Sequence, residues 1–288
     1  MSEGTCDYLN QWARDSFTDK VVLITGANNP YGIGAGTARA FAALGAKIAI
    51  SYLSLPREHP SDFQDESDTI FGTAFYGLQR SKSADEVVSS VRGSGGIIAA
   101  FESDFNEPGS SKKLFDWAEE TFGPVDILIN SAAHCEPSGD TILSVTTDMI
   151  DQTLCVNVRA MVLLIQEFAS RHKHRAATFG RIVNLSTDAA QAFASQIIYG
   201  ASKAAIEALT RSIAIELGPL GITINAIAPG PTQTGYISPE AEARLLPEIP
   251  GGRLGTPNDI AHAILFLSSR QSGWITGQIV RVAGGHVV

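Results

Sequence analysis

Lys20-Val21-Val22-Leu23-Ile24-Thr25-Gly26-Ala27-Asn28-Asn29-Pro30-Tyr31-Gly32-Ile33-Gly34 is the stretch whose reading decides the fold. Its opening is a short, continuous apolar run of the kind a strand buried on both faces shows. Glycines then break the run, and Ile33, Thr37, Phe41 and Leu44 recur at helical spacing, with Gly45 as the stop. A strand, a glycine-rich turn and a helix together present free N–H groups and a positive dipole end to an anion. The glycines let a pyrophosphate approach the backbone.

The alternation continues outward from this unit. Strands are expected over 46–52, 97–101, 125–130, 181–185, 222–228 and 278–282, and helices over 112–122, 147–172, 202–217 and 258–268. Strands that alternate with helices read as an α/β fold, a doubly wound parallel sheet of about seven strands in a single domain. Residues 1–19 read as an N-terminal extension and 20–288 as the domain. A polar, turn-rich stretch over 54–79 is too long for an ordinary βα connection and reads as a surface excursion. The Pro- and Gly-rich segment 231–252 reads as a cover over a substrate.

A second constellation lies between Arg181 and Lys203. The expected strand ends in Ser186-Thr187, and Tyr199-Gly200-Ala201-Ser202-Lys203 opens a helix. Tyr199 and Lys203, four apart, share one helix face, so the ammonium can favour the phenolate of a residue that otherwise titrates near pH 10. A strand-end hydroxyl could hold a substrate oxygen against that phenol. The same spacing also occurs on ordinary exposed helices. Asn157, set among Val156, Val158, Met161 and Leu164, needs partners if buried and reads equally as a core asparagine or a functional one.

At 288 residues with 44% hydrophobic and 18% charged composition, the chain is long and apolar enough to bury a large core. A formal charge of -9 disfavours nucleic acid and anionic membrane surfaces as partners, leaving small molecules. No stretch reads as a membrane span or a secretory signal. Cys6, Cys135 and Cys155 show no disulfide or metal-ligand spacing, which fits inert thiols, no bound metal and the cytoplasm.

Taken together, these motifs resemble the short-chain dehydrogenase/reductase family, in its short single-domain form similar to 3-oxoacyl-carrier-protein reductases, over nearly all of residues 20–285. The resemblance implies cofactor contacts for Thr25, Gly26, Gly32, Ile33 and Gly34, for Asp104 beside adenine, and for Asn130. It also implies them for Pro229, Gly230 and Thr232 beside the nicotinamide and its carboxamide. Tyr199 is the implied proton donor, and Lys203 would lower its pKa and hold the nicotinamide ribose. Asn157 would shape a water relay. The active hydroxyl is Ser186 by spacing to the tyrosine or Thr187 by strand register. The turn from Ala27 to Tyr31 has five residues where three are usual, and the turn after Asn130 lacks the usual glycine.

The implied activity is hydride transfer between a nicotinamide and a carbonyl or secondary alcohol, in the manner of a ketoreductase. A cofactor-binding regulator or scaffold without turnover is the alternative from another class, and an epimerase or dehydratase of the longer related family is a third. The second expected strand ends at Ser51-Tyr52 without an acid, while Arg57, Arg80 and Lys82 follow, which favours NADP(H) over NAD(H). Relatives of this kind pair through two long helices. Met161, Ile165, Ile206 and Leu209 there suggest a homo-oligomer, a tetramer.

Overall fold

The computed structural model describes residues 16–56, 71–135 and 139–286. In chain order it contains β1 (Val21–Thr25), α1 (Ile33–Ala43), β2 (Lys47–Tyr52), α2 (Thr73–Ser81), α3 (Asp85–Gly93), β3 (Ile97–Glu102), α4 (Ser110–Phe122) and β4 (Ile127–Asn130). There follow α5 (Thr147–Leu154), a π-helical segment (Cys155–Arg159), α6 (Ala160–His174), β5 (Gly180–Leu185), α7 (Ile197–Leu217), β6 (Ile222–Pro229), α8 (Pro239–Leu245), α9 (Pro257–Ser268) and β7 (Ile279–Val282).

The seven strands form one parallel sheet in the order β3-β2-β1-β4-β5-β6-β7. Alternate residues of each strand feed opposite faces. From β1, Val22 and Ile24 join Phe41, Val87, Ile260 and Ile264 on the side of α1, α3 and α9. Val21 and Leu23 join Leu114, Phe115, Leu164, Phe168 and Ile206 on the side of α4, α6 and α7. The chain reverses direction across the sheet between β1 and β4. The crevice beyond the carboxyl ends of strands at such a switch point is where a ligand settles.

Several expectations need correction. Phe17 is fully buried and meets Phe41 edge-on at 5.0 Å, so the domain takes in at least the end of the stretch read as an extension. The stretch read as an excursion contains α2, whose Phe75 and Leu78 are buried. Its aromatic residues Phe75 and Tyr76 stand among many polar residues in the sequence. The irregular segment before Gly255 holds α8, started by Ser238, which accepts from Ala241 N. The run Thr147–His174 is long and apolar enough by length and composition to cross a membrane. Here its Met161, Leu164, Ile165 and Phe168 are core residues. Met161, Ile165 and Ile206 are thus spent inside this chain, and Leu209 packs against the same cluster.

Candidate active site

A cleft of about 890 Å³ opens at the switch point, running from the ends of β1 to β3 to those of β4 to β6. At the β1 side its wall is backbone. Gly26 lies in the left-handed region, φ 71°, and a Cβ there would fall 2.6 Å from Ala132 Cα. A Cβ at Gly34 would fall 2.6 Å from Gly26 O. Gly32, Ile33 and Gly34 line the cleft, and the first turn of α1 has no side-chain cap, so its N–H groups remain for an anion. This bare cradle fits the diphosphate of a dinucleotide. Thr25 does not line the cleft; its Oγ1 accepts from Ser131 N and Ala132 N at 3.0 Å each and joins the ends of β1 and β4. Asp104 lines the cleft, where its Oδ1 accepts from Asn106 N at 2.8 Å.

The long turn between Gly26 and Gly32 has work of its own. Asn28 donates through Nδ2 to Arg80 O and Lys82 O at 3.1 and 2.9 Å, and Asn29 Nδ2 donates to Thr234 O at 3.0 Å. At the other end of α2, Gly72 N donates to Gly235 O at 2.9 Å, and Tyr76 meets Tyr236 edge-on at 5.5 Å. Helix α2 is therefore a wall of the cleft, with Tyr76 and Arg80 lining it. Arg80 lies over the Tyr76 ring at 5.4 Å and, among the described residues, has no carboxylate partner. Lys82 pairs with Glu86 at 3.6 Å and does not line the cleft, and Arg57 lies outside the described residues.

At the β5 side the parts are buried side chains. Tyr199 and Lys203 stand one turn apart at the start of α7, both lining the cleft, with Nζ 5.5 Å from the ring centre. Gly200 lets Phe193 come close, since a Cβ there would sit 2.9 Å from Phe193 Cβ; Phe193 meets Tyr199 edge-on at 5.9 Å. Burial pushes the Tyr199 phenol well above the ordinary tyrosine range, and Cys135, Tyr76 and Asp188 push the same way. Burial pushes the Lys203 ammonium down to about 8, against a smaller opposing effect of Cys135. The lowering of the phenol expected from the Tyr-Lys spacing is absent. Desolvation outweighs the ammonium, which donates to Leu185 O at 2.7 Å.

The two strand-end hydroxyls differ. Ser186 Oγ is buried and donates to Glu207 Oε1 at 2.9 Å, so its proton is committed to α7. Thr187 Oγ1 has only long contacts, at 3.5 Å to Asp188 Oδ1 and 3.4 Å from Ala189 N. Asn157 lies in the π-helical segment, a local expansion that often marks function. Its Oδ1 accepts from His134 N at 2.7 Å, and its Nδ2 donates to His134 O and Ser202 Oγ at 2.8 and 2.9 Å. The side chain thus clamps the loop after β4 to α7, and Oδ1 keeps a second lone pair. Asn130 also points elsewhere, donating to Asn184 Oδ1 at 2.8 Å, and does not line the cleft. Pro229, Gly230 and Thr232 do line it, with Thr232 Oγ1 donating to Gly230 O at 2.9 Å.

Sequence reasoning passed over Tyr76 and Cys135. Tyr76 sits in the amphipathic pattern Phe75, Leu78, Gln79 of α2, which was legible as a helix face. Cys135, a thiol that burial pushes up to about 11, comes beside Tyr199 and Lys203 only through the fold. Among the described residues no cluster could hold a metal ion.

Residues 71–286 match the family described as enoyl-(acyl carrier protein) reductase. An NADPH-dependent aldehyde reductase of Arabidopsis thaliana chloroplasts is 34% identical over 272 residues, covering 92% of this chain and 93% of the relative. Among solved structures, a short-chain dehydrogenase/reductase from Serratia marcescens superposes with a TM-score of 0.77 at 27% identity, covering 95% of this chain and 100% of that one. A blue fluorescent protein from a metagenomic library, solved in complex with NADPH, superposes with the same score at 28% identity, covering 94% and 99%. The seven-stranded sheet, the glycine cradle at its switch point and these likenesses make the chain a member of the short-chain dehydrogenase/reductase family, an NAD(P)-dependent oxidoreductase.

Proposed function

We propose that the chain reduces the carbonyl of a small molecule with NADPH, and that Tyr199, Lys203 and Thr187 do the protein's share of the chemistry. The observation that carries this reading is their convergence, all three lining the cleft whose other end is the glycine cradle. The nicotinamide, when bound, supplies the hydride. Tyr199 gives its proton to the substrate oxygen, and Thr187 Oγ1, the less committed hydroxyl, donates to the same oxygen and fixes it. Lys203 supplies positive charge beneath the phenol once its hydrogen bond to Leu185 O is shared or exchanged. Asn157 keeps the loop at His134 against α7, and Pro229, Gly230 and Thr232 bound the nicotinamide end. Gly26, Gly32, Ile33 and Gly34 hold the diphosphate, with Asp104 at the adenine.

NADP(H) is favoured because β2 ends without an acid and Arg80 stands in the cleft without a carboxylate among the described residues. The names of the Arabidopsis relative and the NADPH-bound neighbour support the same choice. NAD(H) is a second reading: Glu102 Oε1 accepts from Ser54 N at 2.9 Å, which brings an acid beside the end of β2. A homo-oligomer, a tetramer, would bury Leu154, Val162, Leu163 and Ile215, the exposed apolar residues of the long helices. Cys135 and Cys155, neither of them joined in a disulfide, suit the cytoplasm. A panel of aldehydes and ketones, followed by loss of reduced-nicotinamide absorbance with NADPH and NADH in parallel, tests the function. Turnover with none of them would reject it in favour of a binding protein without catalysis.

A further inference from the structure

Behind Thr187 lies a polar cluster for which the reaction described so far has no task. Asp188 is 5% exposed, and its backbone N donates to Pro229 O at 3.0 Å. Its carboxylate accepts from His286 Nδ1 at 2.6 Å through Oδ2, and Thr187 Oγ1 lies 3.5 Å from Oδ1. The other ring nitrogen of His286 is 3.7 Å from Glu248 Oε2, in the turn that follows α8. One imidazole therefore joins the end of β5, the C-terminal turn and the segment over the cleft.

The local backbone is shaped for this meeting. Gly284 and Gly285 both adopt left-handed φ, 62° and 88°, and turn the chain so that His286 N donates to Ala283 O at 3.1 Å. Gly251 N donates to Gly284 O at 2.7 Å, which ties the same turn to the cover. A Cβ at Gly230 would sit 2.7 Å from Ala283 Cβ and 3.0 Å from Asp188 Oδ2, so the tail comes this close only because Gly230 is bare.

We propose that Asp188 and His286 are positioning residues of the reaction, a buried pair that holds Thr187 and the Pro229-Gly230 turn in place against Tyr199. The inference rests on the proposed reduction. Geometry supplies the first half of the argument, since Asp188 adjoins the proposed oxygen-holding hydroxyl and contacts the nicotinamide-side turn. Charge supplies the second. Tyr199 is faced by Lys203 on its own helix, Cys135 after β4, Tyr76 on α2 and Asp188, and the carboxylate opposes ionisation of the phenol. His286, faced by Asp188 and Glu248, donates to that carboxylate and draws its charge away from Tyr199.

The two partners then predict opposite shifts. Asp188→Asn removes a negative charge and so lets Lys203 and Tyr199 lose their protons more readily, and the alkaline limb of kcat/KM for reduction, which Lys203 opens near pH 8, moves to lower pH. His286→Ala leaves the carboxylate without its donor, and the limb moves to higher pH. A merely structural defect would lower the amplitude without splitting the limbs. The experiment compares wild type, Asp188→Asn, His286→Gln and His286→Ala on a carbonyl substrate identified in the panel, with NADPH affinity titrated by fluorescence. His286→Ala should lower kcat about tenfold through misplacement of the hydroxyl and leave NADPH affinity within about twofold. His286→Gln, which keeps a donor, should recover most of the rate. Limbs that coincide with wild type in both Asp188→Asn and His286→Ala, or a His286→Ala kcat within about twofold of wild type, overturn the pairing. Should His286→Ala fail to fold, the limb of Asp188→Asn and the rate of His286→Gln decide. Full activity in Tyr199→Phe would reject the reduction mechanism itself. An inactive Tyr199→Phe beside an unaffected His286→Ala would reject only the pair.

Discussion

At the β1 side of the cleft the working surface is backbone, while at the β5 side it is side chains taken out of water. Gly26 and Gly34 act by having no side chain, since a Cβ at either would come within 2.6 Å of neighbouring backbone, and their effect depends little on charge. Tyr199 and Lys203 act through groups whose proton affinities burial has moved in opposite directions, the phenol up and the ammonium down to about 8. Distance alone would have paired them favourably. Desolvation decides otherwise, so the second half of the site is electrostatically tense where the first half is only tightly fitted.

This contrast can be broken at either end. The largest effect is expected from Tyr199→Phe, which removes the proton donor and should cut kcat by about a hundredfold or more while NADPH binding stays near wild type; stopped assays and fluorescence titration separate the two. Next comes Arg80→Ala, where loss of one charge-assisted phosphate contact, roughly 1.5–3 kcal/mol, should erase a ten- to hundredfold preference for NADPH over NADH. An unchanged cofactor ratio would remove Arg80 from phosphate recognition. Thr187→Val should lower kcat by about tenfold, and Ser186→Ala by less, because Ser186 is bonded to Glu207. A larger loss in Ser186→Ala would reverse the assignment.

The smallest effect concerns stability and sharpens the contrast most. Between about pH 8 and 10.5 the unfolded chain keeps a proton on Lys203 that the folded chain has released. Stability then rises with pH across that window, and the cost of the buried charge is fully present below it. Lys203→Met should therefore be inactive yet melt higher than wild type at pH 7, by roughly 2–4 °C for each kcal/mol relieved. The gap should narrow toward pH 10. A lower melting temperature at pH 7 would show that the ammonium stabilises the site where it is buried.

What could be read in advance follows the same division. Strand runs such as Val21-Val22-Leu23-Ile24, the glycines around Gly26 and Gly34, and the Tyr199-Lys203 spacing are local patterns, and the sheet and the cradle follow from them. The destinations of Asn130 and Asn157 were not local. Each is settled by a partner far along the chain, Asn184 for one and His134 with Ser202 for the other. The choice between Ser186 and Thr187 became tractable only when Glu207, one face of a distant helix, claimed the serine. Helix α2 was hidden by composition, since acids and prolines before it outnumbered the aromatic residues on its buried side.

The glycine-rich turn and helix α2 have a joint consequence for exchange between relatives. Asn28 and Asn29 of the five-residue turn hold the carbonyls of Arg80, Lys82 and Thr234, and Gly72 closes the far end on Gly235. The turn residues Asn28 and Asn29 and helix α2 are thus one transplantable cassette. A graft of the helix into a relative with a three-residue turn would arrive without its fasteners, and trimming the turn here would unhinge the roof it supports.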